Sequence, residues 1–217
     1  MPTQTITEEL ELLDTSGGTG GPGGEDGGDG GEHGGKPETP RSAYFTGLSV
    51  GLAGILMFFM ALVSAFIVRK GIGGDWRAVV LPKILWLNTA VLAASSVTVE
   101  IARRHLARAW YLSFRRWWAI TTSLGVAFLF GQVLAWRELW FQGVFVATNP
   151  SHSFFYVLTA AHGLHLLGGM TALLYVALRN WQERRRRQML AADLTAVYWH
   201  FMDGLWVFLL LLLYLGR

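Results

Sequence analysis

The sequence predicts an all-α membrane protein, a bundle of five transmembrane helices preceded by an acidic, glycine-rich tail. Hydrophobic residues make up 52% of the 217 residues, and the chain contains ten Trp, which is unusual for a soluble domain. A helix needs about 20 mostly apolar residues to cross a bilayer core about 30 Å thick. Five such segments occur, at roughly 44–68, 79–102, 118–136, 152–178 and 196–215. No stretch of chain remains that could build a separate water-soluble core.

The tail, residues 1–40, is the first predicted domain, and residues 41–217 form the transmembrane domain. The tail holds one base and nine acids, and twelve Gly lie between positions 17 and 35. Such a segment buries too little apolar surface to offset the entropy of ordering, so we expect it to be disordered. The glycines do not predict a phosphate-binding loop, because no Gly-Lys-Ser/Thr ending follows them.

Basic residues beside the spans predict the orientation of the chain. The transmembrane domain carries seventeen bases and six acids, and Arg is concentrated in two loops, 103–116 and 179–187. In a five-span topology both loops lie on the side of the N-terminus, and loops rich in Arg and Lys stay in the cytoplasm. We therefore expect a cytoplasmic N-terminus and a periplasmic C-terminus. Basic residues placed in this way set topology and do not indicate a nucleic-acid partner.

Most Trp residues lie near the predicted ends of spans, where amphipathic indole rings settle at the headgroup level. They are Trp76, Trp86, Trp110, Trp117, Trp118, Trp136, Trp140 and Trp181. We expect them at the two membrane–water interfaces. For Trp86 and Trp136, packing between helices is an alternative.

Polar residues inside the spans are costly in lipid, so each predicts a contact in the interior of the bundle. His162 and His165 lie three positions apart in the fourth span, which predicts a shared helix face. His200 and Asp203 lie one turn apart in the fifth span and could satisfy each other. Glu100, near the cytoplasmic end of the second span, is expected to form interfacial ion pairs with the Arg residues that follow it.

The histidines leave three interpretations open. Neutral imidazoles that hydrogen-bond between helices are the favoured one. A ligand pair for haem or a divalent metal, with His200 as a further ligand, is the second. Contact with a lipid headgroup is the third. The chain has no Cys, which excludes disulfides and thiolate sites, and no HExxH sequence or nucleotide fingerprint indicates a free-standing catalytic site.

Two consecutive segments give the chain a specific resemblance to a known family. They read LTAAHGLHLLG at 158–168 and YWHFMDGLW at 198–206, and they resemble the last two helices of subunit III of haem-copper cytochrome c oxidases. The second span adds Leu81-Pro82, LWLNTAVL at 85–92, which includes the intramembrane polar residue Asn88, and Ser95-Ser96. Five spans rather than seven resemble the shorter bacterial form, which implies a bacterial plasma (inner) membrane.

The resemblance implies a non-catalytic subunit of a respiratory terminal oxidase. That complex oxidises cytochrome c, reduces oxygen to water and moves protons across the membrane. The family implies subunits I and II as partners, with a small subunit IV as a further candidate, and it places haem and copper in partner subunits. It implies no redox centre in this chain, which would contact cytochrome c only through the complex. The implied roles are to stabilise subunit I, to bind phospholipid and to support proton uptake.

Two residues match lipid-binding positions of the family. His165 matches the second His of the HGLH motif, and Arg179 matches the base at the end of that helix, so the resemblance makes both candidate headgroup contacts through charge-assisted bonds to phosphate. One position departs from the family, because Ile55 occupies the place of a buried Glu before Met57-Phe58-Phe59. A role of that carboxylate is not transferred to this chain.

Other functions remain as alternatives. Subunit III of ubiquinol oxidases and accessory relatives of nitric-oxide reductases share the same pattern. A self-contained di-haem membrane cytochrome would use His162, His165 and His200. A small transporter built around His200 and Asp203 is the last alternative, and the lack of an inverted repeat in the sequence argues against it.

Overall fold

A computed structural model describes residues 40–72, 74, 82–143, 149–179 and 185–216. The described residues form α1 (Arg41–Ile72), α2 (Ile84–Ala107), α3 (Tyr111–Phe141), α4 (Pro150–Leu178) and α5 (Arg185–Leu215). These ranges contain no strand, and all five helices are long and apolar enough to cross a membrane. The predicted fold class is therefore confirmed. The predicted disorder of the tail falls on residues 1–39, which lie outside the described residues.

The helices extend beyond the apolar segments that predicted them. α5 begins at Arg185 rather than near residue 196, and α3 begins at Tyr111 rather than near residue 118. Hydropathy detects only the lipid-buried part of a helix, whereas the hydrogen-bonded backbone continues through polar residues at the headgroup level. The added turns of α5 bring polar side chains toward the ends of α1 and α2.

Four helices form a closed ring, and the fifth lies outside it. α2 packs on α3, α3 on α4, α4 on α5, and α5 returns to α2. Three fully buried Trp residues, Trp118, Trp199 and Trp206, fill the interior of this ring. α1 packs against α4 and α5. Its fully buried side chains are Phe59, Val63 and Phe66, so most of α1 remains open to lipid or to another protein.

Local sequence signals explain several helix ends. Asn149 caps α4, because its side chain accepts a hydrogen bond of 3.1 Å from the backbone N–H of Ser151. Pro150 occupies the first turn of α4, where its missing N–H has no cost. Gly143, just beyond the end of α3, has φ of 77°, a conformation that glycine adopts without steric strain.

The structure corrects the predicted location of one Trp residue. Trp118 lies near a span end, as expected, but it is 1% exposed. Its indole N–H donates to the carbonyl of Leu173 at 2.9 Å, so it joins α3 to α4. By contrast, Trp86, Trp110 and Trp140 are at least 55% exposed, as interfacial rings would be. Trp76 and Trp181 lie outside the described residues.

Candidate functional site

The seam between α2 and α5 brings Ser96, His200 and Asp203 together. The Ser96 hydroxyl donates to Asp203 Oδ2, and Ser96 Oγ also lies 3.0 Å from His200 Nδ1. A serine hydroxyl has one hydrogen, which is directed to Asp203, so the imidazole N–H is the donor in the second contact. The predicted direct pairing of His200 with Asp203 is thus replaced by a bridge through Ser96. In the sequence, the pair Ser95-Ser96 in the second span was the feature that indicated polar contacts at this place.

Two indole groups of α5 add further hydrogen bonds along the same seam. Trp199 Nε1 donates to Ser95 Oγ at 2.9 Å, and Trp206 Nε1 donates to Thr89 Oγ1 at 3.0 Å. An indole N–H without an acceptor is costly in a hydrocarbon environment, so these bonds favour one register of α5 against α2. The polar groups of this seam are therefore used to hold helices together.

His162 lies in the interior of the ring and is completely buried. Its imidazole packs between the rings of Phe128 and Trp206, with centroid distances of 6.1 and 5.1 Å. Both ring nitrogens lack a hydrogen-bond partner among the described residues. Within the described residues, His162 therefore makes no direct hydrogen bond to a neighbouring helix, because the aromatic rings around the imidazole offer no strong acceptor.

His165 faces a different neighbour. Its Nδ1 lies 2.8 Å from the carbonyl oxygen of Ala161 in its own helix. The ring contacts Phe58 and Phe59 of α1, with centroid distances of 5.8 and 5.5 Å. Three helical positions correspond to a rotation of about 300°, so two side chains at this spacing can point toward different helices. His162 and His165 point toward different helices in this way, so the two imidazoles do not share one face of α4 as predicted.

The three histidines of α4 and α5 therefore do not converge on a common ligand. His162 faces α3 and α5, His165 faces α1, and His200 contacts Ser96 on the outer side of the α2–α5 seam. In the described ranges, no group of three or more His, Cys, Asp or Glu side chains could hold a metal ion. The geometry gives no support to the interpretation of these residues as haem or metal ligands.

Arg179 lines a cleft where the end of α4 meets the beginnings of α3 and α5. The cleft has a volume of about 660 Å³, and its wall combines three Arg side chains with aromatic and aliphatic ones. The lining residues are Tyr111, Phe114, Arg115, Trp118, Ala119, Val176, Ala177, Leu178, Arg179, Arg185 and Gln188. The guanidinium of Arg179 donates to the Tyr175 hydroxyl and lies 5.2 Å from the centroid of that ring.

The second lipid-binding candidate does not lie in this cleft. His165 and Arg179 are separated by fourteen positions on α4, or about 21 Å along the helix axis at 1.5 Å per residue. One lipid headgroup cannot contact both side chains across that distance. Arg179 lies at the end of α4, whereas His165 lies near the middle of this helix.

An ionic cluster joins three helix ends on the side of the N-terminus. Glu100 pairs with Arg103 at 2.8 Å and with Arg104 at 3.1 Å, as expected for this residue. Asp193 of α5, which the sequence did not single out, pairs with Arg103 at 3.0 Å and with Arg41 at 2.6 Å. The signal for Asp193 was an isolated acid close to an Arg-rich loop. This cluster connects α1, α2 and α5.

Asn88 lies between α2 and α3. Its side-chain amide is 3% exposed and donates to the carbonyl of Phe128 at 3.5 Å. The backbone of Gly131 passes so close to this amide that a side chain at position 131 would overlap it. Asn88 therefore acts as a packing group at a close helix crossing.

Comparison with known proteins matches residues 43–216, from α1 to the end of α5, to the family Cytochrome c oxidase subunit III. A Mycobacterium tuberculosis (strain ATCC 25618 / H37Rv) protein named "Probable cytochrome c oxidase subunit 3" is 33% identical over 180 residues, which cover 79% of this chain and 87% of that protein. "Cytochrome c oxidase subunit 3" of Thermostichus vulcanus is 32% identical over 177 residues, covering 78% of this chain and 85% of that protein. A Corynebacterium diphtheriae (strain ATCC 700971 / NCTC 13129 / Biotype gravis) protein, also named "Cytochrome c oxidase subunit 3", is 32% identical over 176 residues, which cover 77% of this chain and 85% of that protein.

These matches agree with the architecture. The matched region contains all five apolar helices, and the motifs around His162 and His200 lie on neighbouring helices of the ring. The family implies a complex with other oxidase subunits, so the chain is a multi-pass membrane component of an oxidoreductase complex. On this evidence, the chain belongs to the cytochrome c oxidase subunit III family of haem-copper oxidases.

Proposed function

We propose that this chain is a non-catalytic scaffold that stabilises the catalytic subunit I of a cytochrome c-oxidising, proton-translocating terminal oxidase. The observation that carries the proposal is the use of intramembrane polar groups: Ser96, His200 and Asp203 are bonded to one another across the α2–α5 seam. Polar side chains used in this way favour a rigid bundle. In this proposal subunits I and II, not this chain, hold the haem and copper, and cytochrome c contacts the chain only through the complex.

A pull-down in mild detergent tests the scaffold proposal. We expect the tagged chain to bring larger subunits that carry haem and copper, and the haem type in the visible spectrum then narrows the choice between a cytochrome c oxidase and a ubiquinol oxidase. A single chain that carries stoichiometric haem of its own would contradict the proposal and favour the di-haem cytochrome. A nitric-oxide-reductase partner would be recognised by its subunit masses.

The cleft at Arg179 supports a phospholipid-binding role. Three guanidinium groups line a cleft whose other walls are aromatic and aliphatic, which suits an anionic headgroup above an acyl chain. We propose that Arg179, Arg115 and Arg185 contact the phosphate. His165 stays a separate candidate for a headgroup contact, because its distance along α4 prevents it from sharing this phosphate.

Replacement of Arg179 tests the lipid proposal. Arg179→Ala should lower the phospholipid that copurifies with the complex and shorten the active life of the oxidase, while the initial rate of oxygen consumption changes little. Arg137→Ala is a matched control, because Arg137 also lies over an aromatic ring, Phe141, but at the opposite end of the bundle. Loss of initial activity with unchanged lipid content would contradict a lipid-binding role for Arg179.

The proposed orientation has a cytoplasmic N-terminus and a periplasmic C-terminus in a bacterial plasma membrane. The Arg residues that follow α2 and α4 support it through the positive-inside rule. A reporter enzyme that is active only in the cytoplasm should be inactive when it is fused after Arg217.

In this orientation the ionic cluster around Glu100 and Asp193 faces the cytoplasm, where we propose that the chain supports proton uptake by subunit I. Slower proton uptake by a complex depleted of this chain is the expected result, and an unchanged rate would contradict that role.

A further inference from the structure

Two buried polar side chains on facing helices have no hydrogen-bond partner among the described residues. Gln132 of α3 is 4% exposed, and His162 of α4 is completely buried. Neither polar atom of the Gln132 amide and neither ring nitrogen of His162 forms a hydrogen bond to any residue that the structure describes. Buried side-chain amides and imidazoles in folded proteins are normally satisfied by protein or by ordered water.

The two side chains lie at the same level of the seam between α3 and α4. One turn before Gln132, the ring of Phe128 contacts the imidazole of His162, with a centroid distance of 6.1 Å. One turn after Gln132, Trp136 Nε1 donates to Thr159 Oγ1 at 3.2 Å. Thr159 and His162 occupy the same turn of α4, and Gln132 lies midway between Phe128 and Trp136 along α3, so its position on α3 is level with that turn.

The nearest polar group, the Thr159 hydroxyl, is already bonded to other residues. Thr159 already donates its hydroxyl hydrogen to the carbonyl of Phe155 at 2.7 Å and accepts from Trp136. The remaining walls at His162 are the rings of Phe128 and Trp206. Packed helices lie about 8–10 Å apart, and two hydrogen bonds of about 2.8 Å each would let one water molecule join polar groups roughly 5 Å apart.

We propose that Gln132 and His162 bind an ordered water molecule in the seam between α3 and α4. The amide supplies both a donor and an acceptor, and the neutral imidazole supplies one of each, so the pair can offer the several hydrogen bonds that hold buried water in proteins. The water would add a polar connection between α3 and α4 beside the hydrogen bond from Trp136 to Thr159. This site is separate from the Arg179 cleft and does not depend on the electron donor of the oxidase.

Cryo-EM of the full-length chain, purified in lipid nanodiscs with its accompanying subunits, tests the site at a resolution that shows ordered water. The expected result is a solvent peak within about 3.2 Å of both the Gln132 amide and a ring nitrogen of His162. A direct bond between the two side chains, or a seam without a peak, would overturn the proposal. In Gln132→Leu the peak should disappear.

A double-mutant cycle provides an independent measurement. Gln132→Leu and His162→Phe should each speed thermal inactivation of the complex about tenfold, because each leaves one buried polar group with a poorly held water. The double variant removes the whole polar site, so it should be no less stable than the worse single variant. If the double variant instead inactivates roughly a hundredfold faster than wild type, the two substitutions act independently, and the shared water is contradicted.

Discussion

A close approach of α2 and α3 depends on glycine at position 131. A Cβ added there would lie 2.8 Å from Asn88 Cγ and 2.9 Å from Nδ2, so the buried amide would have to move. Overpacking of this kind costs about 1–3 kcal/mol. Replacing a helical glycine with alanine offsets roughly 0.5–1 kcal/mol of that cost. For Gly131→Ala we therefore expect a net loss of up to about 2.5 kcal/mol in the free energy of unfolding, which is about 1–3 kcal/mol worse than a helical Gly→Ala replacement without overlap.

The prediction can be measured by SDS-induced unfolding of the chain in mixed micelles, followed by Trp fluorescence. Gly54→Ala is the matched control, because a Cβ at that exposed position of α1 would have no other part of the described structure, beyond its own helix backbone, within 4 Å. It should be neutral or slightly stabilising. Asn88→Ala in the Gly131→Ala background should restore part of the loss, because it removes the overlapping group. If Gly131→Ala is as stable as Gly54→Ala, or if Asn88→Ala gives no rescue, the proposed steric cause is wrong.

Three further predictions use the same titration. Trp199→Phe removes the hydrogen bond to Ser95 and should cost about 1 kcal/mol, whereas Trp86→Phe, at a ring that is 56% exposed, should change little. Asp193→Asn should cost no more than about 1 kcal/mol at low salt, and the difference from wild type should shrink as salt screens the ion pairs; a salt-independent loss would contradict an electrostatic origin. Ala109→Gly should stabilise the chain by up to about 1 kcal/mol, since Ala109 has φ of 61°, and a loss of stability would contradict strain at this turn.

Sequence reasoning identified the helices because membrane insertion depends on local composition. Five apolar segments correspond to the five helices, although helix ends such as Arg185 were placed too late. The motifs around His162 and His200 identified the family, and Glu100 was correctly interpreted as an ion-pair residue. In each case the information lies in neighbouring residues, such as an acid followed one turn later by Arg.

Tertiary structure decided which polar groups meet. In a helix that is apolar on all sides, hydropathy does not show which face is turned toward the other helices, because the lipid-facing side chains resemble the buried ones. The separation of His162 from His165, the bridge through Ser96 and the pairing of Asp193 with two Arg residues all depend on such rotations. The sequence alone therefore determined the number and nature of the spans and the family. The packing of helices distant in the chain determined which side chains bond, because a hydrogen bond requires polar atoms about 3 Å apart.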